Sequence, residues 1–207
     1  RHYSDIRKTI YDVMNEALDM YKDCEATFTI TGSGGMLVSE WLNLPFVQEV
    51  VASTHAVTKL IPDTDVAIEL GGEDAKITFF SNPVEQRMNG TCAGGTGAFI
   101  DQMAILLKTD AQGLNDYASR HKIIYPIAAR CGVFAKTDIQ PLINEGAAKE
   151  DLSASIFQAV VNQTITGLIQ GRKIEGKVMF LGGPLYYCQG LRKRFYETLQ
   201  LTEETAV

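Results

Sequence analysis

The chain has 207 residues, of which 45% are hydrophobic and 21% are charged, a composition typical of a globular protein with a sizeable core. Its net charge of -6 and its pI near 5.1 leave no basic surface to bind a phosphate backbone, so nucleic acid is excluded as the main partner. No apolar stretch approaches the roughly 20 residues that cross a bilayer, and no signal peptide is recognisable, so we expect a cytoplasmic protein without a membrane partner.

The first part of the chain is predicted to be mainly helical. In chain order, the elements are a helix over residues 5–22 with Ser4 as its cap, a strand over 27–31, a short helix over 36–42 and a helix over 46–60. Pro62 and Asp63 end the last of these helices. We therefore predict a first domain of residues 1–62 and a second domain of residues 63–207.

The second part alternates strands and helices. In chain order, the elements are strands over 65–70 and 75–80, a helix after Gly97, a short helix over 112–120, an extended segment over 123–128, helices over 133–144 and 153–171, a strand over 177–181 and a helix over 191–199. Asp151 or Ser153 is the expected cap of the long helix. The first two strands form a hairpin, which predicts an α/β fold with mixed sheets flanked by helices.

One candidate site is the hairpin turn that follows an acidic residue at a strand end. The segment contains Glu69, Gly71, Gly72, Glu73, Asp74 and Lys76. Backbone N–H groups of such a turn can bind phosphate, while the carboxylate of Glu69 can hold a hydrated Mg²⁺ ion. The alternative is an ordinary exposed hairpin with a polar tip, because glycine pairs are common in hairpins.

A second candidate site is the glycine loop that opens onto a helix. The loop runs from Cys92 through Gly95, Thr96 and Gly97, and free N–H groups at the helix start would favour an anion. Cys131 also precedes a predicted helix start. Two cysteines are half the usual ligand set of a four-iron cluster, and a symmetric dimer would complete it. The alternative is a pair of buried structural cysteines.

A third candidate site follows the last predicted strand. Gly182 and Gly183 would allow the backbone to approach a flat ligand such as adenine, although a tight strand-to-helix connection explains them equally well. The remaining cysteines, Cys24 and Cys188, match neither cysteine motif and are expected to be packing residues. The three histidines are isolated and suggest no metal site.

Together, these motifs resemble the second half of the fold shared by actin, the heat-shock 70 chaperones and the sugar and acetate kinases. Three segments narrow the resemblance to the activators of 2-hydroxyacyl-CoA dehydratases and their benzoyl-CoA reductase ATPase relatives, above all the large activase proteins. They are Gly71-Gly-Glu-Asp-Ala-Lys76, Cys92-Ala-Gly-Gly-Thr-Gly-Ala-Phe99 and Cys131-Gly-Val-Phe-Ala-Lys-Thr-Asp138. The similarity extends from about residue 26 to about residue 201.

The resemblance implies an ATPase of the actin-like, ribonuclease H-like fold. It implies a homodimer in which Cys92 and Cys131 of both subunits bind one four-iron four-sulfur cluster. It also implies ATP and Mg²⁺ at the Glu69–Asp74 turn, with the adenosine near Gly182 and Gly183. Such a protein receives an electron from a donor such as ferredoxin or flavodoxin and passes it, at low potential, to a dehydratase or reductase.

Two departures from the family pattern lead to further expectations. The family begins with a phosphate-binding hairpin that this sequence lacks, so we expect a piece of a longer protein that is weakly active or inactive alone. Glu69 stands where the shorter activators usually carry aspartate. Two alternatives stay open, namely a sugar or acid kinase of the same superfamily and a non-catalytic regulatory module of a larger activase.

Overall fold

The computed structural model describes residues 5–32, 34–89, 94–128, 132–202 and 205–206. Cys92 and Cys131 lie outside these residues. The chain divides into two compact units, Arg1–Ser53 and Thr54–Val207. This division lies inside a helix and precedes residue 62, where the domain boundary was predicted. The predicted boundary stays a prediction. Within the described ranges, no helix is both long and apolar enough to cross a membrane.

The first unit contains helices α1 (Ile6–Met20) and α2 (Gly35–Leu42) and the beginning of α3 (Glu49–Leu60). Asp5 caps α1 by accepting a hydrogen bond from the Lys8 amide at 3.1 Å; the predicted cap, Ser4, lies outside the described residues. The strand predicted over 27–31 is reduced to a single parallel bridge between Ile30 and Phe46. Among the described residues, the remainder of this segment has no strand partner, so the predicted strand is not formed there.

The second unit is built on a four-stranded sheet. Its strands are β1 (Val66–Leu70), β2 (Ala75–Phe79), β3 (Glu85–Met88) and β4 (Val178–Leu181), in the order β3-β2-β1-β4. β1 pairs antiparallel with β2 and parallel with β4, and β2 pairs antiparallel with β3. The predicted hairpin and the mixed sheet are confirmed, whereas β3 was not predicted.

Alternation along the strands separates two apolar faces of the sheet. On β1, Ile68 and Leu70 enter the main core, which includes the buried face of the long helix α7 (Lys149–Leu168). On the other face, Ala67 and Met179 pack with Val57 of α3. The sheet is therefore covered on both sides within this unit.

The other helices of the second unit are α4 (Gly97–Leu106), α5 (Ala111–Ala118), α6 (Gly132–Asn144), α8 (Gly183–Tyr187) and α9 (Gln189–Leu199). Their positions agree with the predicted helices, and α8 adds a short turn after the last strand. The predicted caps of α7 are wrong, because its N-cap is Ala148 and both Asp151 and Ser153 lie inside the helix. Asp151 instead accepts hydrogen bonds from amides of the extended segment 121–128.

Candidate functional site

The hairpin turn of β1 and β2 is attached directly to the start of α4. The Gly97 amide donates to the Gly71 carbonyl at 2.9 Å, and the Ala98 amide donates to the Gly72 carbonyl at 2.8 Å. A Cβ atom at Gly97 would lie 3.3 Å from the Gly71 oxygen and 3.4 Å from Pro184 Cγ. Two of the predicted phosphate-binding segments and the start of α8 therefore meet in one place.

The third glycine segment approaches the end of β1. Gly182 has φ +92, and a Cβ atom there would lie 2.1 Å from the Leu70 carbonyl oxygen. Only glycine fits such a close approach of two backbones. Gly182 and Gly183 are both exposed, as are Gly72 and Glu73 of the hairpin turn. All three predicted segments therefore lie at the same edge of the sheet, and two of them present open backbone to solvent.

Glu69 and Lys76 face each other across the hairpin. They are register partners on β1 and β2, with 3.5 Å between Lys76 Nζ and Glu69 Oε1. The lysine side chain is 5% exposed and the glutamate side chain 23% exposed. The carboxylate therefore keeps access to solvent, while the lysine side chain is buried.

The described part of the glycine loop, residues 94–96, packs against α7. Gly94, Gly95 and Thr96 are all buried. Gly95 has φ +81, and a Cβ atom at Gly94 would lie 2.2 Å from the side-chain nitrogen of Gln163. The amides of Gly97 and Ala98 are already bonded to the hairpin turn. The expectation of free N–H groups at this helix start is therefore wrong for these two amides.

The two cysteine motifs are followed by helices that pack together near their starts. A Cβ atom at Gly132, the first residue of α6, would lie 2.9 Å from the Gln102 side-chain oxygen and 3.7 Å from the Phe99 ring, both on α4. Cys131 is the residue before Gly132, and Cys92 is two residues before the described Gly94. The described parts of the two cysteine motifs, Phe99 and Gly132, therefore lie close to each other.

The two remaining cysteines have the environments of packing residues or surface residues. Cys188 is buried, and burial, followed by the charge of Asp101, raises the pKa of its thiol to about 11. A protonated thiol is a poor metal ligand. Cys24 is exposed. Among the residues that the structure describes, no group of three or more His, Cys, Asp or Glu side chains could hold a metal ion.

Sequence reasoning missed several residues around this site. Tyr186 and Tyr187, three and four residues after Gly183, are 71% and 70% exposed and stack edge to face with ring centroids 4.9 Å apart. Asp138 accepts a hydrogen bond from the Ala128 amide at 2.6 Å, just ahead of Cys131. The exposed tyrosine pair could have been noticed from its position after two glycines. The Asp138 contact joins α6 to the extended segment 121–128, and no sequence pattern marks this contact.

Comparison with known proteins identifies the family of the chain. The model of the BadF/BadG/BcrA/BcrD ATPase family matches residues 2–204. The 2-hydroxyisocaproyl-CoA dehydratase activator of Clostridioides difficile is 29% identical over 157 residues, covering 74% of this chain and 58% of that protein. The (R)-2-hydroxyglutaryl-CoA dehydratase activating ATPase of Acidaminococcus fermentans is 27% identical over 178 residues, covering 85% of this chain and 67% of that protein.

Two solved structures share the fold. Component A of the A. fermentans (R)-2-hydroxyglutaryl-CoA dehydratase superposes with a TM-score of 0.75 at 27% identity, covering 84% of this chain and 67% of that one. The C. difficile 2-hydroxyisocaproyl-CoA dehydratase activator, with bound ADPNP, gives a TM-score of 0.74 at 26% identity, covering 86% and 66%. The resemblance and the actin-like α/β fold predicted from the motifs are confirmed. The chain spans only 58% of the C. difficile relative's sequence.

Proposed function

Because this chain belongs to the BadF/BadG/BcrA/BcrD ATPase family, we propose that it forms the greater part of an ATP-dependent activator. In this proposal the intact protein hydrolyses ATP and transfers a low-potential electron to a 2-hydroxyacyl-CoA dehydratase or a related reductase. The relatives named as dehydratase activators support this assignment. An electron donor such as ferredoxin or flavodoxin reduces the activator between turnovers.

The observation that carries the proposal is the attachment of the β1–β2 turn to α4. The turn accepts hydrogen bonds from the Gly97 and Ala98 amides, and α4 follows the loop that contains Cys92. A displacement of the turn therefore moves the start of the helix that follows Cys92, a proposed cluster ligand, in the sequence. Through such a link, a nucleotide bound at the turn can alter the surroundings of a distant redox centre by conformational gating, and no nucleophilic side chain is needed.

The nucleotide is assigned to the exposed glycine edge of the sheet. Gly72 and Glu73 offer open backbone for phosphate, and Gly182 and Gly183 do the same for adenosine. The Glu69 carboxylate is accessible enough to hold Mg²⁺ through water, and its contact with the buried Lys76 helps to orient it. Gly95 and Thr96 are buried, so they act by holding the loop in place rather than by touching the ligand.

The proposed cluster is assigned to Cys92 and Cys131 of two subunits. In support, Gly132, which follows Cys131 in the sequence, lies near Phe99 and Gln102 of α4, the helix that follows the Cys92 loop. Four thiolates from a twofold dimer complete the usual ligand set. When bound, the cluster supplies a one-electron redox centre. Val133 and Phe134 are the second and third residues after Cys131 in the sequence, and they are 73% and 57% exposed. Exposed apolar side chains of this kind are expected where a single subunit would contact its partner in a dimer.

Activation of a dehydratase tests the proposal directly. The full-length protein is purified without oxygen and mixed with a chemical reductant, ATP and a 2-hydroxyacyl-CoA dehydratase. Dehydration should require ATP and should be lost in Cys92→Ser and Cys131→Ser, while Cys24→Ser, a change at an exposed cysteine, retains it. Dehydration that survives loss of Cys92 and Cys131 would contradict the proposal. Phosphoryl transfer to a sugar or acid in those variants would instead identify a kinase.

A further inference from the structure

Two aromatic side chains of α8 are left in solvent at the glycine edge of the sheet. Tyr186 and Tyr187 are both exposed, whereas Leu185, directly before them, is buried in the main core. The ring centroids lie 4.9 Å apart, and the ring planes meet at 87°. Aromatic side chains usually bury much of their area, and adjoining apolar surface that stays exposed often marks a binding site. The pair is therefore a candidate surface for a flat ligand.

Hydrogen bonds fix the backbone that carries the tyrosine pair. The Tyr186 amide donates to the Gly182 carbonyl at 3.0 Å, and the Tyr186 carbonyl accepts from the Gln189 side-chain nitrogen at 2.9 Å. The Cys188 amide, directly after the pair, donates to the Pro184 carbonyl at 3.0 Å. A tyrosine side chain has few rotatable bonds, so a pair on a fixed backbone loses little conformational freedom when a ligand binds.

The helical geometry of α8 directs both side chains toward the diglycine. In an α-helix, the Cα–Cβ bond tilts toward the preceding turn, and residues four apart share a face. Tyr186 follows Gly182 by four residues, and Tyr187 follows Gly183 by four. Both glycines are exposed, and nothing lies within 4 Å of a Cβ atom at Gly183. The pair therefore adjoins open space at the edge to which the nucleotide is assigned.

The first turn of α8 also lies beside the proposed phosphate segment. A Cβ atom at Gly97 would lie 3.4 Å from Pro184 Cγ and 3.4 Å from Gly72 Cα, so these two atoms are at most twice 3.4 Å apart. Pro184 is the second residue of α8. A nucleotide with its phosphates at the hairpin turn is long enough to reach α8 with its base.

We propose that Tyr186 and Tyr187 bind the base of the nucleotide and give the site a preference for a purine. The inference rests on the proposed nucleotide site and names the side chains that recognise the base, which glycine backbone alone does not distinguish. A base has two flat π-faces, which suit stacking on one ring and edge-to-face contact with the other. A purine has two fused rings and covers more of this aromatic surface than a pyrimidine does. The pair therefore favours ATP over CTP.

Three ligands separate base recognition from phosphate binding in the full-length protein. Binding of ATP, CTP and inorganic tripolyphosphate, each with Mg²⁺, is measured by calorimetric titration. Tyr186→Ala and Tyr187→Ala each remove one ring, whereas Tyr186→Phe and Tyr187→Phe keep both rings. Tyr117→Ala is the matched control, because Tyr117 is a partly exposed tyrosine of α5 whose ring faces Arg120 and Lys149.

Each alanine variant of the pair should bind ATP about tenfold more weakly than the parent, as expected for lost stacking on one base. Each should also lose most of the parent's preference for ATP over CTP. Tripolyphosphate has no base, so its binding should not change. The two phenylalanine variants and Tyr117→Ala should match the parent in all three titrations.

The results that overturn the inference are distinguishable from failure of the nucleotide site. If the parent binds ATP and both alanine variants bind it as tightly as Tyr117→Ala does, the nucleotide site stands and the role of the pair is wrong. If the alanine variants weaken ATP and tripolyphosphate equally, the pair does not recognise the base. A folded parent that binds neither ATP nor tripolyphosphate contradicts the proposed nucleotide site, and the inference fails with it.

Discussion

Gly182 and Leu70 approach each other so closely that a Cβ atom on Gly182 would lie 2.1 Å from the Leu70 carbonyl oxygen. The contact joins the end of β4 to the end of β1, its parallel neighbour. It places the backbone of the diglycine next to the strand that leads into the hairpin turn. Any side chain at Gly182 would have to push these two strand ends apart.

Gly182→Ala should therefore lower the free energy of unfolding by more than about 2 kcal/mol, because the new methyl group meets rigid backbone at positive φ. Gly183→Ala is the matched control, since nothing lies within 4 Å of a Cβ atom at that position. Urea denaturation followed by circular dichroism measures both. Equal stability of the two variants would show that the close approach of Gly182 to Leu70 does not exclude a side chain at residue 182.

Gly167→Ala should stabilise the protein. Gly167 lies in the last turn of α7, and a Cβ atom there has open space. Replacing a helical glycine by alanine is worth about 0.5 to 1 kcal/mol, because the unfolded chain loses freedom and the helix gains propensity. A rise in the urea midpoint is the expected result. A lower midpoint would mean that residue 167 is not in an open helical environment.

Glu69→Gln should weaken nucleotide binding only when Mg²⁺ is present. The carboxylate is partly exposed and is proposed to hold the ion through water. We expect about tenfold weaker binding of ATP with Mg²⁺, corresponding to about 1.4 kcal/mol, and little change in a chelator. Calorimetric titration of the full-length protein under both conditions measures the difference. An equal loss in both conditions would indicate that Glu69 acts through its bond to Lys76 instead.

The stability of the second unit should fall in acid because of Asp151. Hydrogen bonds from the Lys122 amide, and then the Ile123 amide, hold the pKa of this carboxyl below its ordinary value. The unfolded state therefore binds the proton more readily than the folded state. The contribution of Asp151 to stability is complete above the pKa of an ordinary carboxyl group, and it is lost as the pH falls through the lower pKa of Asp151 in the folded state.

Urea midpoints measured between about pH 5 and about pH 2 test this dependence. Asp151→Asn should be less stable than the parent near neutral pH and should show a shallower decline in acid. Asp116→Asn is a suitable control, because Asp116 is a carboxylate on α5 that accepts only from the exposed Gln112 side chain in the contacts described for it. A decline as steep in Asp151→Asn as in the parent would assign the acid sensitivity to other groups.

The elements with strong local patterns could be predicted from the sequence. α1 and α7 have long apolar repeats, and the hairpin of β1 and β2 is marked by β-rich runs around two glycines. The order of the three glycine segments was also sufficient to suggest the superfamily, and the residues of the segments beginning at Gly71, Cys92 and Cys131 narrowed it to the family. Each of these signals is local, so it does not depend on how distant parts of the chain meet.

Features that depend on distant contacts could not be predicted. β3 has the polar sequence Glu-Gln-Arg-Met, and its Arg87 donates to the Leu168 carbonyl at the end of α7 at 3.2 Å. Asp151 resembles a helix cap in sequence, yet its side chain binds a segment 28 and 29 residues away. The direct bonds between Gly71, Gly72 and the start of α4 likewise depend on tertiary packing. The Gly97 and Ala98 amides, which were expected to be free, are occupied for this reason.

The cluster is the central claim, and anaerobic iron and sulfide analysis combined with the molecular mass in solution tests it most directly. The full-length protein should contain about four irons and four sulfides per dimer, with an absorption spectrum that disappears in Cys92→Ser and persists in Cys24→Ser. A folded protein that binds no iron after careful reconstitution, or that keeps its iron without Cys92, would contradict the account.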